Sequence, residues 1–381
     1  VAQAVRSLIQ GHAERGISHE VVCLDTENPG EAMAESFPLH ALGPHSTRWC
    51  YSPRLFPWLL RHLPRFDSVI IHGLWLYPSH AVRKALNRLR RTTQELPLCH
   101  VMPHGMLDPY FQRDASRRIK ALRNWVMWKV IESKVVNQAD ALLFTCEEEM
   151  RLASQSFRPY RPQREAVVGL GLEAPPPATP AMHEAFQAAC PDLGARPYWL
   201  FLSRIHPKKG VDLLTRAYRE VWHEAGGATE ALPDLVIAGP GWDTPFGREV
   251  WELAGQARVE GARVHTIDRL EGKAKWGAFY GCEVFLLPSH QENFGIAVAE
   301  AMACGKPVLI SDQVNIWREI VSAGAGLVAE DTEQGTISLL RQWLDLPLSE
   351  SAAMGAKALT CFQDLFEIGR AVRTFKRLIL S

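Results

Sequence analysis

Two short runs in the second half of the chain concentrate side chains that can do chemistry. The first is Leu287-Pro-Ser-His-Gln-Glu-Asn-Phe-Gly-Ile-Ala-Val-Ala-Glu-Ala-Met-Ala-Cys-Gly-Lys-Pro-Val308, which carries Glu292 and Glu300 eight residues apart. A carboxylate accepts two hydrogen bonds from vicinal hydroxyls, so such a pair suits a sugar or ribose ring. An apolar strand pattern ends at Pro288 and a helical pattern begins near Gly295, which puts Glu292 in a loop and Glu300 in the following helix. Free N–H groups at that helix start favour anions. Taken alone, two glutamates at this spacing read as an ordinary solvated helix face.

The second run is Phe201-Leu-Ser-Arg-Ile-His-Pro-Lys-Lys-Gly-Val-Asp-Leu-Leu214. A strand pattern delivers Arg204, and Lys209-Gly210 opens a helix. Two cations at a sheet edge beside a helix N-terminus form an anion site fit for a diphosphate. Gly239-Pro-Gly241 follows another strand; as a bare G-x-G it is weak. In the first half, His72 in Ile71-His-Gly-Leu-Trp75 and His104 in Met102-Pro-His-Gly-Met-Leu-Asp-Pro-Tyr110 both stand at strand ends, with Asp108 close by. A lone histidine in such a place is more often structural. Glu147, Glu148 and Glu149 open a helix, where acidic charge is favourable in itself.

The elements that must position these residues alternate between apolar strands and amphipathic helices, the pattern of parallel α/β structure. Strands are expected at 20–25, 68–75, 98–104, 139–146 and 166–171, then at 198–203, 235–239, 264–268, 284–288 and 308–311. Helices are expected at 78–91 and 117–136, and one continuous helix at 361–380. The proline-rich Ala174-Pro-Pro-Pro-Ala-Thr-Pro180 interrupts the alternation and reads as a linker. The chain opens directly in a helical pattern at 1–14. A sheet wound both ways starts with a central strand and a glycine turn, so about twenty residues holding them are expected ahead of Val1, a shorter domain being the alternative.

With 381 residues, 47% of them apolar and 22% charged, the composition is that of a two-domain globular protein. No apolar run is long enough to span a bilayer, and the opening lacks a signal-peptide pattern. Eight cysteines stand singly, which reads as a reducing cytoplasm rather than a disulfide or zinc framework. Residues 1–175 hold 22 Lys and Arg against 17 Asp and Glu, a net of +5, and the remainder is −5. That density is too low for a nucleic-acid binder. Two basic, aromatic segments, 49–66 (Trp49, Trp58) and 117–134 (Trp125, Trp128), read mainly as core packing with snorkelling cations; the alternative is peripheral contact with an anionic membrane on its inner face.

Together the two runs resemble glycosyltransferase family 4 (glycosyl transferases group 1), the retaining GT-B enzymes that include sucrose synthases and phosphatidylinositol mannosyltransferases. The Pro-His-Gly-Met-Leu-Asp-Pro run is similar to a bacterial surface-polysaccharide subgroup. The resemblance implies an α/β GT-B fold: two Rossmann-like, doubly wound parallel-sheet domains facing across a cleft. The acceptor-side domain would be 1–174, the nucleotide-sugar domain 175–360, and 361–381 a helix crossing back. It implies that Arg204 and Lys209 hold the donor diphosphate, Glu300 the ribose and Glu292 the donor sugar. The backbone of Asn293, Phe294 and Gly295 would orient both, and Gly239 and Gly241 would form the family's A-G-x-G turn. His104 falls at an active-site histidine, with His72 and Asp108 on the acceptor side.

The implied reaction moves a sugar from a UDP-, GDP- or ADP-linked donor to a glycan or lipid-linked acceptor, with no resident cofactor and no metal. Two alternatives remain: a sugar-nucleotide epimerase of the same fold, and a non-catalytic partner protein. The chain departs from the family where Val168-Gly-Leu-Gly-Leu172 replaces the usual Pro-Asn-Gly, and where 264–268 lacks a Leu-Gly ending, leaving base contacts near Arg269 unassigned.

Overall fold

The computed structural model describes residues 5, 6, 8, 9, 11, 16–25, 37–93, 95–113, 118–228 and 232–379. Most of the helix expected at 1–14 lies outside the described residues. The chain divides into two compact units, Val1–Gly171 with Ile368–Ser381, and Leu172–Glu367. Both are Rossmann-like parallel α/β structures.

In the first unit, β1 (Val21–Cys23) pairs with β2 (Leu39–Ala41) as a separate parallel pair. A four-stranded parallel sheet follows, in the order β3 (Ser68–His72), β4 (Leu98–Met102), β5 (Ala141–Phe144), β6 (Glu165–Val167). Strands β4 and β5 are buried almost throughout, as near-continuous apolar runs must be when helices cover both faces. A cavity of about 720 Å³ opens between Val22 and Cys23 on one side and Ile70 to His72 on the other.

The segment expected as one helix at 117–136 is instead a helix, Arg118–Met127, a five-residue π-turn, Trp128–Glu132, and a second helix, Ser133–Gln138. The extra residue per turn keeps both Trp128 and Glu132 fully buried. Trp128 stacks on Phe157 at 4.8 Å between ring centroids. In segment 49–66, Leu55, Leu59 and Leu63 are core residues, with Trp49 and Trp58 packed against them, so this segment is core.

The second unit holds six parallel strands in the order β12 (Gly326–Ala329), β11 (Val308–Ser311), β10 (Val284–Leu287), β7 (Tyr198–Leu202), β8 (Asp234–Ala238), β9 (Val264–Ile267). Chain order thus runs outward from β7 to one edge, then jumps back to β10 and runs to the other. Ligands in such sheets lie beyond the strand carboxyl ends at that reversal, here between β7 and β10. Helix Val211–Glu224 buries Val211, Leu214, Tyr218, Val221 and Trp222, one stripe at three- and four-residue spacing, and leaves its other face to water.

The helix expected over 361–380 is not continuous. A π-turn at Phe362–Phe366 ends at Glu367, whose backbone is extended, and a new helix runs Ile368–Ile379. The break comes where Leu172 N–H donates to the Phe366 carbonyl at 2.9 Å, so two chain segments meet there as neighbouring extended backbone. Phe375 of the last helix packs with Leu8, Leu143 and Val168 of the first unit.

Candidate active site

The loops leaving β7 and β10 lie side by side because these strands pair directly, Val284 opposite Trp199 and Phe285 opposite Leu200. After β7, Ile205 N–H donates to the Pro240 carbonyl at 2.8 Å, which ties this exit to the Gly239-Pro-Gly241 turn after β8. Gly239 sits at φ +149 with its α-carbon so near the Ser203 carbonyl that a β-carbon would lie 1.8 Å from the oxygen. A single turn, Pro207–Lys209, then leads to Gly210 at φ +64. A β-carbon on Gly210 would come 2.0 Å from the Pro288 carbonyl oxygen, so only glycine lets this turn close on the β10 exit. His290 N–H seals the contact, donating to the Lys208 carbonyl at 2.8 Å.

That approach puts the Lys209 ammonium in an ion pair with the Glu292 carboxylate, both largely shielded from water. Burial, with the positive charges of Arg204 and Lys208 beside it, pulls Lys209 down to about 8. Lys208 donates to Gln291 Oε1 at 3.0 Å. Arg204 is exposed and has no salt-bridge partner among the described residues. The Glu292 backbone is held on both sides, its N–H to Gln313 and its carbonyl from Asn315 N–H, each at 3.0 Å. The side chain therefore projects from a fixed strand-like segment rather than a loose loop.

Helix Ile296–Ala303 starts after Gly295, which takes φ +80 as its N-cap. Phe294 turns inward and is buried edge-on against Phe366 at 5.4 Å between centroids, so only its backbone remains for the site. Glu300 lies in the helix's second turn and accepts from Lys275 at 2.6 Å. Burial raises the Glu300 carboxyl, and the Lys275 charge opposes that rise. Arg204, Lys209, Glu292 and Glu300, expected together from two motifs, thus come from the exits of two adjacent strands. Lys275 and Gln291 join them. Gln291 lies inside the first run without a signal of its own, and Lys275 has none, since it reaches its partner from a helix twenty-five residues away.

In the first unit, His72 ends β3 and His104 follows β4, and their rings meet with Nδ1 of His72 3.0 Å from Nε2 of His104. Burial pulls His72 down to about 4 and, together with the neighbouring His72, pulls His104 down to about 3. Both imidazoles are therefore neutral at pH 7, and one ring N–H donates to the other ring. His104 has a left-handed backbone, φ +52, unusual without glycine. Glu149 supports that turn: it accepts Gly105 N–H at 2.5 Å, and the Thr145 N–H and hydroxyl at 2.8 and 2.6 Å. Its role thus exceeds helix-start electrostatics.

Glu132 does the same for the loop after β3, accepting from Trp75 N–H at 3.0 Å and from the Ser79 hydroxyl. Burial lifts its carboxyl to about 7. Asp108 is buried and accepts Tyr110 N–H at 2.8 Å. Among the described residues, no group of three or more His, Cys, Asp or Glu could hold a metal ion, and no helix is long and apolar enough to cross a membrane.

Residues 1–171 match the model of the glycosyl transferase 4-like domain, and residues 191–359 that of glycosyl transferases group 1. A D-inositol 3-phosphate glycosyltransferase of Kineococcus radiotolerans is 29% identical over 238 residues, 60% of this chain and 54% of that protein. A GDP-mannose-dependent alpha-(1-6)-phosphatidylinositol monomannoside mannosyltransferase of Mycolicibacterium smegmatis is 27% identical over 275 residues, 66% of this chain and 67% of that protein. The chain spans about half the length of the D-inositol 3-phosphate glycosyltransferases it matches. Among solved structures, Anabaena Alr3699/HepE in complex with UDP and glucose superposes with a TM-score of 0.74 at 14% identity, over 99% of this chain and 95% of that one. Sucrose-phosphate synthase from Thermosynechococcus elongatus gives 0.68 at 18% identity, over 98% and 91%. At such identities the likeness is one of fold.

Proposed function

Because the chain belongs to the group 1 glycosyltransferases of family 4, with the GT-B fold, we propose that it moves a sugar from a nucleotide-diphosphate sugar to an acceptor hydroxyl with retention of configuration. The observation that carries this reading is that Arg204 and Lys209 follow β7 while Glu292 and Glu300 follow β10, the two strands paired at the reversal, with Lys209 and Glu292 in direct contact. Arg204, exposed and lacking a salt-bridge partner among the described residues, meets the incoming diphosphate first. Lys209 then exchanges its bond to Glu292 for a phosphate oxygen, which frees that carboxylate for hydroxyls of the donor sugar. Glu300 takes the ribose hydroxyls, held in place by Lys275. Backbone N–H groups of Asn293 and Gly295 orient the phosphates, and Gly239 and Gly241 let the chain approach them closely. Neutral His104 offers a ring nitrogen to a sugar hydroxyl.

In the reaction the bond from the anomeric carbon to the phosphate oxygen breaks, and the acceptor oxygen bonds to that carbon from the same face. The acceptor proton passes to the departing phosphate oxygen. Negative charge builds on the diphosphate, where Arg204 and Lys209 supply preorganised positive charge. These cations do the work a divalent ion does elsewhere, so turnover needs no metal. The acceptor is a glycan or a lipid-linked precursor, in keeping with the phosphatidylinositol mannoside substrate named for a relative.

The test is incubation with UDP-, GDP- and ADP-sugars without acceptor, followed by NMR of the products. Slow release of one nucleoside diphosphate, with the sugar's anomeric configuration kept, is the expected result, unchanged by chelator. Epimerised donor, no turnover with any donor, or strict dependence on manganese would overturn the reading.

A further inference from the structure

Exposed large apolar residues elsewhere among the described residues stand singly or in a pair, as at Val259 and at Leu344 with Leu348. On helix Arg118–Met127 and the π-turn after it they do not. Ile119 is 87% exposed, Leu122 64%, Trp125 53%, Val126 47% and Val130 58%. Spacing of three and four residues puts them on one side of the helix. The opposite side is committed to the core through Asn124, Trp128 and Glu132. The stripe is thus a second apolar face that this unit leaves uncovered, larger than the scattered exposure normal for a protein surface.

The charges along it have one sign. Residues 118–131 contain Arg118, Lys120, Arg123 and Lys129 and no aspartate or glutamate. Lys120, Arg123 and Lys129 are exposed, and Lys129 lies 5.7 Å from the centre of the Trp125 ring while donating to the Arg158 carbonyl at 2.9 Å. A second copy of this chain would meet the stripe with the same cations, which disfavours self-pairing. An apolar face set among cations, with a tryptophan at its border, matches a bilayer interface bearing anionic headgroups.

We propose that this helix is a membrane-docking surface, lying in the plane of an anionic bilayer with Ile119, Leu122, Val126 and Val130 in the acyl boundary and Lys120, Arg123 and Lys129 among the headgroups. The surface stands independently of the donor chemistry proposed above.

The experiment is co-sedimentation of the whole chain with two vesicle preparations, pure phosphatidylcholine and phosphatidylcholine with about 30% phosphatidylglycerol. Binding to the anionic vesicles only, weakened by salt, is expected. The Ile119→Ser/Leu122→Ser/Val126→Ser variant should bind at least tenfold more weakly, and so should Lys120→Glu/Lys129→Glu. All five positions are exposed, and an unchanged thermal melt confirms that neither variant acts through folding. Wild-type protein left in the supernatant, equal binding to both vesicles, or undiminished binding of the apolar variant would each overturn the proposal. Self-association without lipid that the apolar variant abolishes would also overturn it, by assigning the face to a second copy.

Discussion

Lys209 gives the sharpest test of the site. In the proposed reaction, replacing it with alanine removes one of two cations from the place where charge builds on the leaving group, and it leaves the Glu292 carboxylate without its partner in a half-buried position. Loss of a contact of this kind costs about 2–4 kcal/mol in the transition state, or roughly 30- to 900-fold in rate. An uncompensated Glu292 facing the diphosphate pushes the result toward the upper end. Glu292→Gln should partly restore the alanine variant by removing that repulsion, so the two effects will not add. The pH profile carries independent information. Burial pulls Lys209 down to about 8, and in the proposed reaction only its protonated form holds phosphate. kcat/KM for the free enzyme should therefore fall about tenfold per pH unit above 8. In kcat the alkaline limb should move to higher pH, because bound diphosphate favours the ammonium. Lys209→Arg keeps its charge throughout and should lose the limb near 8, at whatever residual rate its geometry allows. Steady-state kinetics of donor hydrolysis from pH 6 to 10 read all of these. Turnover of Lys209→Ala within threefold of wild type, or an alkaline limb that persists in Lys209→Arg, would refute the assignment.

Gly210→Ala should lower stability by about 2–4 kcal/mol, since both its φ of +64 and the Pro288 carbonyl exclude a β-carbon; a melting temperature within a degree of wild type would contradict this. Glu149→Ala removes the carboxylate that accepts from the Gly105 and Thr145 donors in a buried place and should cost about 3 kcal/mol in urea unfolding, with Glu149→Gln intermediate. For His265, burial alone lowers the pKa, but the Asp234 carboxylate 2.7 Å away and a bond to Cys190 outweigh it and lift the imidazole to about 9. A pKa raised on folding stabilises fully below about pH 6.5, and that stabilisation is lost as pH rises through about 9. Urea titrations should trace that decline between pH 6.5 and 9, and His265→Gln should flatten it.

Most of the fold was legible because its central strands are apolar runs buried on both sides. Trp199 to Phe201 and Val284 to Leu287 announce themselves without any periodicity. What escaped was short or small. β2 is three half-buried residues, and β12 is Gly326–Ala329, where glycine and alanine carry little strand signal. The π-turn at Trp128 was hidden because helical spacing on either side reads through it. At the site, residues inside each motif were visible, but their partners were not. The Lys275–Glu300 and Glu149–Gly105 bonds join positions 25 and 44 residues apart that no local pattern links.

That the two legible motifs meet is a consequence of topology, and neither motif contains the reason. Lys209 and Glu292 are 83 residues apart, and in most strand orders the loops bearing them would sit at distant edges of a sheet. They become neighbours because the chain winds from β7 to one edge through β8 and β9, then returns to lay β10 against the other side of β7. The right-handed crossovers that make this order possible send helices to opposite faces on either side of the reversal, leaving the strand ends between them uncovered. Gly210 and Gly239 then remove the β-carbons that would hold the loops apart. Composition supplies the charges, topology brings them together, and two missing side chains let the backbone close to bonding distance. A sequence with the same cations and carboxylates but a bulkier residue at position 210 would keep the motif and lose the ion pair.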